Sequence, residues 1–162
     1  MINEKGVEAL WLLYSDNVDQ SRHHENERAA IAGVVLTIGA AIAGLITYDG
    51  IIAGISDGIM AVLMGVVGLF GAAFSFKSYE RSHYHFCRAR EFRNAADKIV
   101  LNGQLADIQR EADKQHKQKF GHFHKMKLHR WWIALNLLIT LLAIAIGLLA
   151  LSGDFVTVGV PL

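Results

Sequence analysis

The chemistry-bearing side chains of this 162-residue chain include eight histidines and a single cysteine. The histidines fall partly in pairs, at His23-His24, His83-x-His85 and His122-x-His124. Zinc sites usually add several Cys ligands, or an H-x-x-x-H pair flanked by a carboxylate, and these pairs show neither pattern. The favoured interpretation is therefore solvated polarity, and the sequence predicts no metal and no cofactor.

Patterns typical of catalysis are also missing from the sequence. It contains no G-x-S-x-G, no P-loop, no glycine-rich dinucleotide fingerprint and no paired carboxylates within an apolar stretch. Nearby cations could make the Cys87 thiol more reactive, but an ordinary cysteine on a helix face is the simpler interpretation. One cysteine also excludes an intramolecular disulfide. We therefore predict that the chain is not an enzyme.

Three apolar stretches, at residues 29–48, 51–76 and 131–151, are the main elements of the chain, and the histidines and the cysteine lie between or before them. Crossing about 30 Å of hydrocarbon takes roughly 20 helical residues at 1.5 Å each, and each stretch is long enough. The third opens with Arg130-Trp131-Trp132, a combination typical of a membrane interface. The sequence predicts an all-α integral membrane protein with three transmembrane helices.

The basic residues predict an orientation in the membrane. All sixteen Lys and Arg either precede the first stretch or lie between residues 77 and 130. Because Lys and Arg are retained on the cytoplasmic side, we expect the amino terminus inside and the carboxyl terminus outside. The expected order is a cytoplasmic amphipathic helix (1–28), a transmembrane hairpin (29–76), a cytoplasmic helical segment (77–130), a third transmembrane helix (131–151) and an external tail (152–162). A cleaved signal peptide is not expected.

The cytoplasmic segments have helical spacing and turn signals. Apolar residues from Val7 to Val18 recur with helical periodicity, and the helix that follows Lys77 could continue the second span. Asn102-Gly103 predicts a turn before another polar helix, which Gly121 would end. We expect a small helical bundle, and Phe155–Val158 is too short to predict a strand.

The second span contains a continuous series of small residues, here called the seam. Its members follow at steps of four and three: Gly54, Gly58, Ala61, Gly65, Gly68, Ala72 and Ser75. Small residues let another helix approach closely, which drives helix association in lipid. Two interpretations have similar weight: packing on the first span, which offers Gly33, Gly39, Ala40, Ala43 and Gly44, or homo-oligomerisation. Chance in a glycine-rich span is a third.

The third span has a similar stripe, consisting of Asn136, Thr140, Ala143, Gly147 and Ala150. We expect this stripe to face protein, with Asn136 forming a hydrogen bond across an interface. A lipid-facing Asn136 or an ion pathway lined by it is the alternative.

Two acids lie near the far end of the hairpin, Asp49 and Asp57. A transporter could use Asp57 as a proton or cation site. Each acid precedes a glycine, however, and turn chemistry is the simpler explanation.

A basic region precedes the third span. It consists of Arg110, Lys114, Lys117, Lys119, Lys125, Lys127 and Arg130. Attraction to anionic lipid is the ordinary interpretation of a juxtamembrane cluster, and binding of RNA, DNA or a nucleotide is the alternative. Arg81, Arg88, Arg90 and Arg93 would enlarge the region if the helices pack side by side.

The polar run from Tyr14 to Arg28, the hairpin that follows it, and the segments Tyr79-Glu80-Arg81 and Arg88-Ala89-Arg90 resemble the SLATT-type membrane effectors of bacterial conflict systems. Similar proteins accompany retron reverse transcriptases and nucleotide-signalling modules. The resemblance implies a cytoplasmic sensor as partner and a hairpin that damages the inner membrane after phage infection. It covers about residues 7–100, and the third span departs from the two-span pattern.

These observations predict an effector that oligomerises through the seam and permeabilises or depolarises the membrane. Gly65→Leu would then abolish toxicity. One alternative is a constitutive oligomeric scaffold that organises lipid, and another is a small ion channel or transporter using Asp57.

Overall fold

A computed structural model describes residues 4–121, 127–152 and 156–157 of the chain. The described residues form four helices: α1 (Glu4–Ile46), α2 (Ile55–Val100), α3 (Gln104–Phe120) and α4 (Leu128–Leu151). Three of them, α1, α2 and α4, are long and apolar enough to cross a membrane. The all-helical fold and the three apolar helices confirm the coarse fold prediction.

The helices belong to two compact units. One consists of Met1–Glu27 and Ser78–Leu128, and we call it the polar unit. The other consists of Arg28–Lys77 and His129–Leu162, and we call it the apolar unit. Helices α1 and α2 contribute residues to both units, because neither helix is interrupted where its sequence changes from polar to apolar.

The apolar unit has a core of small and branched side chains. Its buried members are Val35, Ile46, Ile52, Ala61, Met64, Ile139, Ala143, Ile146 and Ala150. Large apolar side chains also point outward, with Val62 66% exposed and Leu148 68% exposed. Apolar residues on both the inner and outer faces are typical of helices that are surrounded by hydrocarbon.

A loop joins α1 to α2 at one end of the apolar unit. Within it, Ile51–Ile52 (β1) pairs antiparallel with Val156–Thr157 (β2), with Ile51 opposite Thr157. Gly54 donates its N–H to the Ala150 carbonyl oxygen at 3.0 Å. The loop therefore lies beside the segment that follows α4. The sequence did not predict this strand pair, because two residues are too few for a recognisable alternation.

Asp49 and Asp57 both make local bonds in this loop. Asp49 Oδ1 accepts the Ile51 N–H at 3.1 Å, which is an Asx-turn. Asp57 lies in the first turn of α2, and its Oδ2 accepts the Ala53 N–H at 3.0 Å. That bond satisfies a backbone donor just before the helix, in the manner of a capping box.

The polar unit contains the sharp turn between α2 and α3. Asn102 has φ 50° and Gly103 has φ 87°, so both residues adopt the left-handed conformation that ends a helix. Asp97 is 3% exposed, and its two carboxylate oxygens accept the N–H groups of Leu105 at 3.1 Å and Ala106 at 3.2 Å. The preceding helix thus supplies the acceptors that cap α3. The predicted Asn102-Gly103 turn is confirmed, and α3 ends at Phe120, before Gly121 as expected.

Candidate functional site

The seam of α2 and the stripe of α4 lie against each other in the apolar unit. A Cβ atom at Gly65 would lie 3.6 Å from the Ala143 Cβ, and one at Gly147 would lie 3.6 Å from the Ala61 Cβ. A Cβ at Gly58 would lie 3.4 Å from a methyl carbon of Leu151. The structure thus brings together two small-residue series that the sequence analysis treated separately.

The closest approach of α2 to α4 occurs at two glycines. A Cβ at Gly68 would lie 2.5 Å from the Thr140 Oγ1 and 3.0 Å from the Asn136 carbonyl oxygen. At Gly71 an added Cβ would overlap the Asn136 carboxamide oxygen and would lie 3.0 Å from a Val35 methyl of α1. Only glycine leaves room for this packing.

Asn136 lies at the centre of the contact. Its side chain is fully buried, and its Nδ2 donates to the Trp132 carbonyl oxygen at 2.8 Å and to the Ser75 Oγ at 3.3 Å. The second bond joins α4 to α2. The Asn136 Oδ1 has no hydrogen-bond partner among the described residues. A buried carboxamide oxygen without a donor raises the free energy of this packing.

The residues of the observed seam differ from the predicted ones in two ways. Gly54 precedes α2 and has φ 92°, so it is not part of a helical seam, and its inclusion was wrong. Gly71 is out of step with the series and was missed, although the spacing Gly68-x-x-Gly71 could have indicated it. Ala72 is buried, as is Ser75.

The first span contributes less to this contact. A Cβ at Gly39 would lie 3.3 Å from the Ile139 Cγ2 of α4. At Gly33 and Gly44, such an atom would have no neighbour within 4 Å among the described residues. The partner that fills the seam is therefore α4, a possibility that the sequence analysis did not consider.

An open groove remains along the contact of α2 with α4. It has a volume of about 360 Å³, and Gly65 and Gly147 are half-buried within it. Exposed Val62, Val66 and Leu148 form part of its walls. The groove is apolar, as expected of a surface that contacts hydrocarbon or another apolar helix.

The polar unit contains a second cluster, between α1 and α2. His24 and His85 stack with ring centroids 5.6 Å apart, and Ser21 Oγ lies 2.9 Å from Ser82 Oγ. Asn17 Nδ2 donates to the Leu13 carbonyl oxygen, which leaves its Oδ1 to accept from His85 Nδ1 at 3.1 Å. This arrangement assigns the proton of a neutral His85 to Nδ1.

His24 and His85 have different neighbours. His24 Nδ1 lies 3.0 Å from a Glu27 carboxylate oxygen, and His23 Nε2 lies 3.2 Å from the other one. Burial lowers the pKa of His85 below its usual value, and the positive charges of His24, Arg88 and Arg81 lower it further, against an opposing effect of Asp16. Within the described ranges, no three His, Cys, Asp or Glu residues are grouped so that they could hold a metal.

The structure spreads the predicted basic region over several elements. Arg110, Lys114, Lys117 and Lys119 are exposed on α3, Lys127 precedes α4, Arg130 lies on α4, and Lys125 lies outside the described residues. Two of these cations have acidic neighbours one turn earlier, since Arg110 lies 2.8 Å from Asp107 and Lys114 lies 3.9 Å from Glu111.

Comparisons with protein-family models, curated proteins and solved structures found no match for this chain.

Proposed function

We propose that this chain is a multi-pass protein of the bacterial inner membrane that permeabilises or depolarises the membrane in antiphage defence. The three apolar helices support a place in a membrane. The polar unit, which would be cytoplasmic, offers a surface for the sensor protein that triggers the change. The resemblance of the polar run and hairpin to SLATT-type effectors supplies the biological context.

One observation carries the proposed mechanism: a buried amide lies in the tightest helix contact of the apolar unit. Asn136 packs against Gly71, and its Oδ1 has no donor among the described residues. A state in which α4 moves away from α2 would expose Asn136 and Thr140 to water or to another copy, and Oδ1 would gain a donor. Close packing favours the state in which α4 contacts α2, and a donor for the Asn136 Oδ1 favours the state in which the two helices separate. A modest trigger can therefore shift the equilibrium between the two states.

The groove beside this contact supports assembly of several copies. Small residues line it at Gly65, Ala143 and Gly147, where the apolar helix of another copy can approach closely. Several such units around an axis would place Thr140 near a shared interior. In this mechanism the polar unit alters the α2 and α4 contact, and assembly converts that alteration into a leak.

Membrane potential and dye entry test the proposal, measured in bacteria after induced expression, with and without phage infection. Gly65→Leu fills the groove and is expected to abolish depolarisation while leaving the amount of inserted protein unchanged. Gly44→Leu is the matched control, because a Cβ added at Gly44 has no neighbour within 4 Å in the part of the chain that the structure describes, and this variant should leave depolarisation intact.

A constitutive scaffold is the second candidate function. The observation in its favour is that α4 already occupies the seam within one chain, as in a membrane protein with a single stable packing. The scaffold predicts an intact membrane in both conditions and no difference between Gly65→Leu and Gly44→Leu. That outcome would contradict the effector proposal.

A further inference from the structure

A polar groove lies between the carboxyl-terminal part of α2 and α3, entirely within the polar unit. Its volume is about 250 Å³. Six polar side chains line it: Arg90, Arg93, Asn94, Gln109, Arg110 and Asp113. The lining therefore contains three guanidinium groups, two carboxamides and one carboxylate.

Helical spacing and the turn at Gly103 bring these side chains together. Arg90 lies one turn before Arg93 and Asn94 on α2. On α3, Gln109 and Arg110 lie one turn before Asp113. The Asp97 carboxylate ties the two helices through the backbone N–H groups of Leu105 and Ala106. The groove is thus built on regular helices that a buried cap holds in register, not on a loop.

Each arginine of the groove makes a contact within its own helix. Arg93 donates to the Asn94 Oδ1 at 3.2 Å, and the Arg90 guanidinium lies 5.1 Å from the centre of the Phe86 ring. Arg110 pairs with Asp107, and both of those side chains are more than 70% exposed. The exposed Arg110–Asp107 pair contributes little free energy, so an incoming anion can replace it.

We propose that this groove binds the phosphate group of an anionic ligand. Arginine presents a planar fork of N–H donors that matches phosphate oxygens, and the Asn94 and Gln109 amides can add further donors. Binding pockets for whole drug-sized molecules start at about 300 Å³, so the groove fits one phosphate-bearing end of a ligand. The phosphate could belong to a soluble compound or to a phospholipid headgroup, and the chemistry of recognition is the same.

Calorimetric titration of the full-length protein in a non-ionic detergent at low ionic strength tests the proposal. One arm uses inorganic pyrophosphate as the probe, and the other uses a soluble short-chain phosphatidylglycerol. We expect saturable binding in at least one arm, and the arm that binds identifies the source of the phosphate. Arg93→Gln and Arg110→Gln are each expected to weaken that binding about tenfold.

Two controls separate a groove from general positive charge. Arg88→Gln removes the same charge from α2, but the Arg88 guanidinium lies 5.6 Å from the centre of the Tyr84 ring and does not line the groove. Lys114→Gln does the same on α3. Both variants are expected to bind within about twofold of the parent protein.

Asp113→Asn is expected to strengthen binding, a result that misfolding of the variant cannot produce. The substitution removes the one carboxylate that the described residues contribute to the lining, so it should tighten binding about threefold. Absence of saturable binding in both arms would overturn the proposal, as would equal weakening by Arg88→Gln and Arg93→Gln. The titration does not measure membrane leakage, so its outcome is independent of the proposed effector function.

Discussion

The apolar and polar units hold their helices together in different ways. In the apolar unit, α2 and α4 approach so closely at Gly68 and Gly71 that a single added carbon atom would collide with the neighbouring helix. In the polar unit, hydroxyl, imidazole and carboxylate groups bridge the helices, as between Ser21 and Ser82 and between Asp97 and α3.

The two ways of holding helices together suit two different surroundings, hydrocarbon for the apolar unit and water for the polar unit. Burying apolar side chains gives no advantage when the surroundings are hydrocarbon, so helices there associate through close contact of small residues. In water, a small unit of three helical segments buries little apolar surface, and specific hydrogen bonds and helix caps must supply its order. The two units should therefore respond to different substitutions.

The largest effect is expected from Gly68→Ala in the apolar unit. The new methyl would lie 3.0 Å from backbone atoms of both Asn136 and Thr140, so α4 would have to move. Overpacking of this kind costs about 3 kcal/mol of stability. Thermal unfolding of the detergent-solubilised protein measures this, with Gly44→Ala as the control that should lose nothing. Equal melting temperatures for the two variants would show that close packing at Gly68 does not hold the apolar unit together.

A smaller effect, confined to the polar unit, is expected from Asp97→Ala. Loss of its carboxylate removes the Asp97 acceptor of the Leu105 N–H, whereas the Ala106 N–H keeps its bond to the Gly103 carbonyl oxygen at 3.2 Å, and the change should cost about 1–2 kcal/mol. Hydrogen exchange at residues 104–107 should accelerate, while exchange in α4 stays unchanged. Asp107→Ala removes an exposed carboxylate from the same helix and should have little effect. Faster exchange throughout α4 in Asp97→Ala would contradict the division into differently stabilised units.

The smallest effect is a pH response of the polar unit through His85. Because burial and nearby cations lower its pKa in the folded chain, folding favours the neutral ring. The unfolded chain then binds more protons as the pH falls below about 6.5, so the contribution of His85 is present above that pH and is lost below it. A small fall in melting temperature is expected between pH 7.5 and pH 5.5.

His85→Gln should flatten that pH response, because the glutamine amide can still donate to Asn17 but does not titrate. His116→Gln, an exposed change on α3, serves as the control and should retain the response of the parent protein. An unchanged response in His85→Gln would assign the effect to other groups.

Local signals in the sequence anticipated much of the helical layout. The turn at Asn102-Gly103 and the end of α3 before Gly121 follow from residues that accept the left-handed conformation. The seam and the stripe were recognised because small residues recur at helical spacing. Their pairing was not recognised, since the sequence analysis looked for a partner in the first span or in another copy. Helical spacing says which face of a helix is small and does not say which helix covers it.

Features that depend on residues far apart in the chain were missed. Asp97 was not recognised as the cap of α3, because its acceptor role depends on the chain reversing at Gly103. Stacking of His24 on His85 joins residues sixty-one positions apart. The placement of Gly54 outside the helix depends on its bond to the Ala150 carbonyl oxygen, which the second apolar stretch alone could not reveal.

The sequence by itself determined the helical class, the three apolar segments and the faces on which small residues align, because hydropathy and helical periodicity are local properties. Only the tertiary structure decided that α4 fills the seam and that three arginines of α2 and α3 line one groove. It also decided that Asn136 is buried with one oxygen that has no partner among the described residues. Those outcomes depend on which surfaces meet, and that choice is made by close packing and by pairing of polar groups between segments distant in the chain.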